Sequence, residues 1–143
     1  MLKKIVLFLM VGTSVLMAEM IRSNEHVSDT ITELVWQDDN RTIWPNIYYW
    51  PDAITQCEAL SLDGFDDWRL PNINELYSIV EHSYTPTISP VFQNTEVFKY
   101  WSSTTDSSDI TAASARLVDF SVGSDFGENK TLRQFVRCVR AGE

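Results

Sequence analysis

The chain has 143 residues, with eleven Lys and Arg against twenty Asp and Glu and a formal net charge of −9. That length holds one domain with a real hydrophobic core. The acidic balance argues against nucleic acid, and against any polyanion captured by bulk electrostatics; it fits solubility, cation binding or a neutral ligand.

Lys3 and Lys4 make a positive start, Ile5 to Met17 is an apolar run broken only by Gly12, Thr13 and Ser14, and Ala18 offers a small residue before Glu19. This is the layout of a secretory signal peptide over residues 1–18. The run falls short of the roughly 20 apolar residues that a bilayer span needs. An uncleaved N-terminal anchor is the alternative. No Cys follows the run, which argues against a lipid-modified N-terminus. The expected location is therefore the periplasm, or the secreted or cell-surface space, with no membrane attachment after cleavage. Without Lys3 and Lys4, nine Lys and Arg face twenty Asp and Glu, a net charge of −11.

Residues 19–30 are polar, lack apolar periodicity and read as a linker, leaving 31–143 as the domain. Ile31 to Trp36 reads as a first strand, and Asp38-Asp39-Asn40 as a turn. Trp50-Pro51-Asp52 opens a helix, because proline's missing N–H has no partner in the first turn anyway. Trp50, Ala53, Ile54, Cys57 and Leu60 then fall on one buried face, so Cys57 points into the core. Gly64 ends this segment. Only two cysteines exist, Cys57 and Cys138. In an oxidising compartment an isolated pair is most simply one disulfide. Closing so long a loop stabilises by about 4–5 kcal/mol in the chain-entropy model. A catalytic thiol or a metal pair is the alternative, disfavoured by the wide separation and the lack of Cys-x-x-Cys spacing.

Asn72 caps a second helix, with Glu75 placed to return the bond. Its apolar stripe is Ile73, Leu76, Tyr77 and Val80, and His82 with Ser83 closes it. Residues 83–98, with Pro86 and Pro90, read as an irregular loop. Lys99 to Thr104 is a strand, and Thr105 to Ser114 a loop or weak strand. Arg116 to Val122 alternates, with Val118, Phe120 and Val122 on one face. Ser124 to Lys130 reads as a turn containing Gly127, and Phe135 to Val139 as the last strand. In that strand Val136 and Cys138 share one face; Phe135, Arg137 and Val139 share the other. A strand, two helices and then several strands make an α+β pattern, with helices segregated from antiparallel sheet. The disulfide would clamp the first helix onto the last strand.

Four pieces recur as a signature: Leu34-Val35-Trp36-Gln37; Asp67-Trp68-Arg69-Leu70-Pro71-Asn72 with Asn74-Glu75-Leu76 behind it; Tyr100-Trp101-Ser102-Ser103-Thr104; and Val136-Arg137-Cys138-Val139-Arg140. In this order they resemble the family named after the C-terminal domain of the Legionella collagen-like adhesin, from about Thr32 to Gly142. The resemblance implies a C-type-lectin-like fold, related to the domain of the formylglycine-generating enzyme. Such a fold has two helices on small antiparallel sheets, long loops and a helix-to-last-strand disulfide. The Asp67–Asn72 block reads as architecture. Trp68 supplies an apolar body, Arg69 binds carbonyls or a carboxylate such as Asp67 or Asp66, and Pro71 fixes the turn into the helix.

The resemblance implies an exported binding module for carbohydrate or another cell-surface ligand. The adhesin that names the family is associated with sulfated glycosaminoglycans, but a charge of −11 opposes a polyanion here. Trp36, Trp44, Tyr48, Tyr49 and Trp50 cluster in sequence. Trp36 and Trp50 read as core, leaving Trp44, Tyr48 and Tyr49 as candidate ligand-binding residues whose faces stack on sugar C–H groups. No cofactor is required. If a calcium ion is bound, its six to eight oxygens would come from Asp106, Asp109, Asp119, Asp125 and Glu128, although Glu-Pro-Asn and Trp-Asn-Asp lectin motifs are lacking. A catalytic role is not expected. The formylglycine-generating relatives use paired cysteines with copper, and here the disulfide takes both. Neither His26 nor His82 accompanies a Gly-x-Ser-x-Gly elbow. A protein–protein assembly domain of a periplasmic or surface complex is the alternative reading.

Overall fold

A computed structural model of the chain describes residues 19–142. The signal-peptide reading of residues 1–18 lies outside these described residues. In chain order the elements are β1 (Met20–Ser23), β2 (His26–Asp29), β3 (Leu34–Gln37), a 3-10 turn at Asn40–Thr42, β4 (Ile47–Tyr48), α1 (Trp50–Glu58), α2 (Ile73–Ser78), β5 (Lys99–Thr105), β6 (Ser114–Asp119), β7 (Ser124–Asn129), β8 (Gln134–Phe135) and β9 (Val139–Ala141). They build a four-stranded sheet in the order β1-β2-β3-β9 and a five-stranded sheet in the order β4-β8-β5-β6-β7. The architecture is α+β, as the sequence pattern implied.

Two segments depart from the sequence reading. Residues 19–30 are not a linker but the antiparallel hairpin β1–β2. Asn24 takes a positive φ of 58° in its turn, a conformation asparagine tolerates. Val27 is fully buried, yet it is the one buried apolar residue of the hairpin, which leaves no periodicity to detect. Likewise Ser124 to Asn129 is not a turn but β7, paired along the whole of β6. Asp, Gly, Asn and, to a lesser degree, Glu are depleted in strands, which hid it. Gly127 is there because a Cβ would stand 1.8 Å from Asp106 Oδ2.

Smaller shifts have local causes. The first strand begins at Leu34, because Asp29 accepts from Ile31 N at 2.9 Å and from Thr32 Oγ1 at 2.7 Å and turns the chain there. The second helix stops at Ser78 rather than His82. Its tightened end, with Val80 N donating to Tyr77 O at 3.0 Å, turns Ile79 inward and leaves Tyr77 exposed. The last strand divides into β8 and β9, but its faces are as read from the sequence. Val136 and Cys138 join the core around α1, while Phe135 and Val139 join the core around α2.

Helix α1 buries Ala53 and Cys57 completely. Cys57 and Cys138 form a disulfide with a Cα separation of 5.4 Å, clamping α1 to the residue before β9. Strand β6 is buried on both faces, with Ala115 and Leu117 in the first core and Val118 in the second. The loop at 83–98 is irregular but packed: Ile88 and Phe92 are buried, and Thr87 donates to Phe120 O through both N and Oγ1.

Candidate ligand-binding groove

The Asp67–Asn72 block joins the two sheets through the backbone. Arg69 exchanges two main-chain bonds with Val139 of β9, at 2.9 and 2.8 Å. Ser103 N of β5 donates to Pro71 O at 2.8 Å. Trp68 is buried and donates from Nε1 to Phe65 O at 3.0 Å. Arg69 meets neither Asp66 nor Asp67 but forks onto Glu75 with two bonds of 2.7 Å. Asp67 instead takes Arg140 Nε at 2.6 Å. The Arg140 guanidinium also lies over the Phe65 ring, 3.8 Å from its centre. The capping box closes as the spacing implied: Asn72 Oδ1 accepts from Glu75 N at 2.8 Å, and Glu75 Oε1 from Asn72 N at 2.9 Å. The Arg69 fork holds the Glu75 carboxyl below its ordinary range.

A buried ion pair fixes the next layer. Asp38 accepts from Arg137 Nη1 at 2.9 Å, from Gln93 N at 2.8 Å, from Asn94 N at 3.1 Å and from Arg22. Arg137 also donates to Gln37 O at 2.6 Å, Asn94 O at 2.8 Å and Thr95 Oγ1 at 2.7 Å. Its guanidinium lies 4.7 Å from the Phe92 ring centre. Burial pulls Arg137 down to about 10, so it stays charged at neutral pH. From this pair a chain of bonds runs outward. Thr42 Oγ1 donates to Asn94 O at 2.6 Å, and Tyr100 OH to Thr42 O at 2.7 Å. Glu96 N donates to Tyr100 Oη at 2.8 Å, and Trp44 N to Glu96 Oε1 at 3.2 Å. The ion pair thereby positions the backbone on which Trp44 sits.

At the surface, Trp44, Ile47, Phe98, Arg133, Gln134 and Phe135 line a groove of about 240 Å³. Trp44 is 66% exposed and Phe98 60%. Phe98 stacks on Phe135 at 6.2 Å, and Phe135 on the buried Tyr100 at 5.4 Å. The Arg133 guanidinium lies 5.8 Å from the exposed Tyr49 ring. Of the three aromatic candidates, Trp44 therefore lines the groove and Tyr49 stands at its margin through Arg133. Tyr48 packs against the α1 core, and its carbonyl accepts from Trp101 Nε1 at 3.0 Å. Trp36 is fully buried. Trp50 packs on the same core as Tyr48 and donates from Nε1 to Ser102 O at 2.8 Å. Phe98 and Arg133 were not legible as groove residues: one ends a proline-containing loop, the other lies in the short connection before β8.

The five acidic candidates have local partners. Asp106 accepts from Ser108 N at 3.0 Å and lies 3.9 Å from Arg116, which also pairs with Asp125. Asp109 accepts from Thr111 N at 2.9 Å, and the bonds from the Thr111 side chain pull it down to about 2. Asp119 accepts from Ser121 N at 2.8 Å, and Glu128 from Lys99 Nζ at 3.3 Å. Asp106 and Asp125 thus share Arg116, while the other three stand with separate partners. Among the described residues no three His, Cys, Asp or Glu gather into a group that could hold a metal. His26 Nδ1 lies 2.6 Å from Asp63 Oδ2, and the exposed His82 stands against Gly123.

The sequence model of the Lcl C-terminal domain matches residues 25–140, from the β1–β2 turn to β9. The chain belongs to the Lcl C-terminal domain family. The match takes in the whole five-stranded sheet, β2 and β3 of the other sheet with most of β9, both helices and the disulfide of this Lcl C-terminal domain, and it suggests an adhesin-like binding module. No curated protein matches the chain. No helix among the described residues is long and apolar enough to cross a membrane.

Proposed function

We propose that this Lcl C-terminal domain is an exported, non-catalytic binding module that recognises carbohydrate through the Trp44–Phe98 groove. The observation that carries the reading is the pair of aromatic faces, Trp44 and Phe98, both more than half exposed on one groove and backed by Phe135. Single exposed apolar residues are ordinary. Here two large rings share a concave surface, and the backbone at Trp44 is tied to the buried ion pair. Aromatic side chains offer wide contact at a small entropic cost, and sugar rings present apolar C–H faces to them.

Other features support the same reading. Both cysteines lie in the disulfide, so neither offers a thiol for copper chemistry. A buried disulfide fits an oxidising compartment, in keeping with the signal-like residues 1–18. The acidic candidates are engaged by hydroxyls, backbone N–H groups and cations, which favours recognition without calcium.

The test is a glycan array probed with the oxidised protein, in calcium and again in EDTA, alongside Trp44→Ala. The expected result is binding indifferent to EDTA and lost in the variant. Binding abolished by EDTA would return a metal to the acidic loops. No binding in either buffer would move the function to a protein partner, for which an exposed apolar surface is equally suited.

A further inference from the structure

We propose that the groove selects a sugar bearing a single carboxylate, with Arg133 as the carboxylate receptor. This rests on the reading of the groove as a sugar site, and it names the class of sugar.

Arg22 and Arg137 hold Asp38, Arg41 holds Asp39, Arg69 holds Glu75, Arg116 holds Asp125 and Arg140 holds Asp67. Among the arginines of the described residues, Arg133 alone has no carboxylate partner. Acids outnumber bases twenty to eleven, so acidic partners are abundant. Yet Arg133 lies along an aromatic ring, 5.8 Å from the centre of Tyr49. Aromatic faces hold a guanidinium through its charge and planarity and leave its N–H edges open.

Those edges belong to a side chain that lines the same groove as Trp44 and Phe98. An arginine fork matches a carboxylate through two parallel bonds. A pyranose with an exocyclic carboxylate carries both complements, an apolar C–H face for Trp44 and a fork acceptor for Arg133. Gln134, half-buried on the groove wall, adds an amide that can donate to or accept from a ring hydroxyl. Lys130 adds no second positive charge to the lining: its Nζ is held by Ala112 O at 2.9 Å and lies over Trp50. One receptor matches one negative charge. A chain of many charges would meet the field of an acidic protein.

The experiment titrates the oxidised protein with methyl glucuronide, methyl glucoside and a heparin oligosaccharide, followed by tryptophan fluorescence and by calorimetry. The variants are Arg133→Gln, Arg133→Lys and Trp44→Ala. Arg133 is exposed, so its substitutions should leave the fold intact, as the thermal midpoint will show. Glucuronide is expected to bind about tenfold tighter than glucoside, the scale of a charge-assisted bond. Arg133→Gln should erase that preference, with glucuronide affinity falling to that of the glucoside in the same variant. Arg133→Lys should restore part of it. The heparin oligosaccharide should bind no tighter than the monosaccharide. Equal affinity for the two glycosides, a preference that survives Arg133→Gln, or markedly tighter heparin binding would each overturn the inference. In those cases the aromatic reading would stand if Trp44→Ala still abolished binding. If no saccharide bound at all, the reading of the groove as a sugar site would fall, and this inference with it.

Discussion

Arg137 and Asp38 stand 2.9 Å apart with neither side chain reaching solvent. Such a pair is costly to desolvate; losing Arg137 leaves the buried Asp38 with the partly exposed Arg22 as its remaining cation and strips Gln37 O of its donor, and losing the Asp38 charge leaves Arg137 with no carboxylate. Arg137→Met is therefore expected to destabilise the fold by about 3–5 kcal/mol, read from urea denaturation. Asp38→Asn should be comparably harmful, because it strands the Arg137 charge. In either variant that stays folded, hydrogen exchange at Gln93 and Asn94 should accelerate, since Asp38 holds both N–H groups.

The disulfide should matter most in the unfolded chain. Replacing both cysteines, as in Cys57→Ala with Cys138→Ala, is expected to cost about 2–5 kcal/mol. Denaturation of the oxidised protein against that double variant measures it. A change below 1 kcal/mol would mean that the α1 packing holds β9 unaided.

Gly127→Ala places a methyl group where Asp106 Oδ2 now sits. Asp106 cannot swing away freely, because Ser108 and Arg116 hold it. A loss of about 1–3 kcal/mol is expected, as for other overpacking changes. The same substitution made in an Asp106→Ala background should cost less, and the difference gives the coupling between the two positions.

The Arg69 fork makes an acid-limb prediction. It lowers the folded-state pKa of Glu75 below the ordinary glutamate value. A depressed carboxyl contributes stability that is fully present above its unfolded pKa, and that is lost as pH falls through the folded value. Stability of the native protein should therefore fall on acidification below about pH 4.5 more steeply than that of Glu75→Gln. Urea midpoints measured from neutral pH downward in both proteins test this. Parallel curves would show that Glu75 takes no part.

Trp44→Ala and Phe98→Ala remove exposed groove rings, so each should shift stability by less than about 1 kcal/mol while weakening ligand binding. A large loss of stability would identify the rings as core rather than as a receptor.

What the sequence made legible was whatever local chemistry dictates. The spacing of Ala53, Ile54, Cys57 and Leu60 announced a helix face, and Asn72 with Glu75 announced a cap; both stand in the structure. The strands of β7 and of the first hairpin were hidden because their stability comes from pairing with neighbours, not from their own apolar content. The groove was half legible. Trp44 stood out as an aromatic in a loop, but Phe98 and Arg133 arrive beside it from other segments of the chain. Arg69 likewise had carboxylates next to it in sequence, yet its partner is the one that the helix cap had already placed within reach.

The pairing of β9 with β3, beside Cys138 and Arg137, has a consequence for synthesis. A chain emerging N-terminus first presents β3, Cys57 and Asp38 long before their partners exist. Until residues 137–141 have been delivered, β3 lacks β9 on one edge, the thiol of Cys57 is unpaired, and Asp38 lacks the arginine of its buried pair. Synthesis and folding are thus ordered in time: the domain can latch only after residues 137–141 have been made. A product cut short before Arg137 would carry an open sheet edge and a reactive thiol, the features by which quality-control proteases and disulfide-exchange enzymes distinguish unfinished chains.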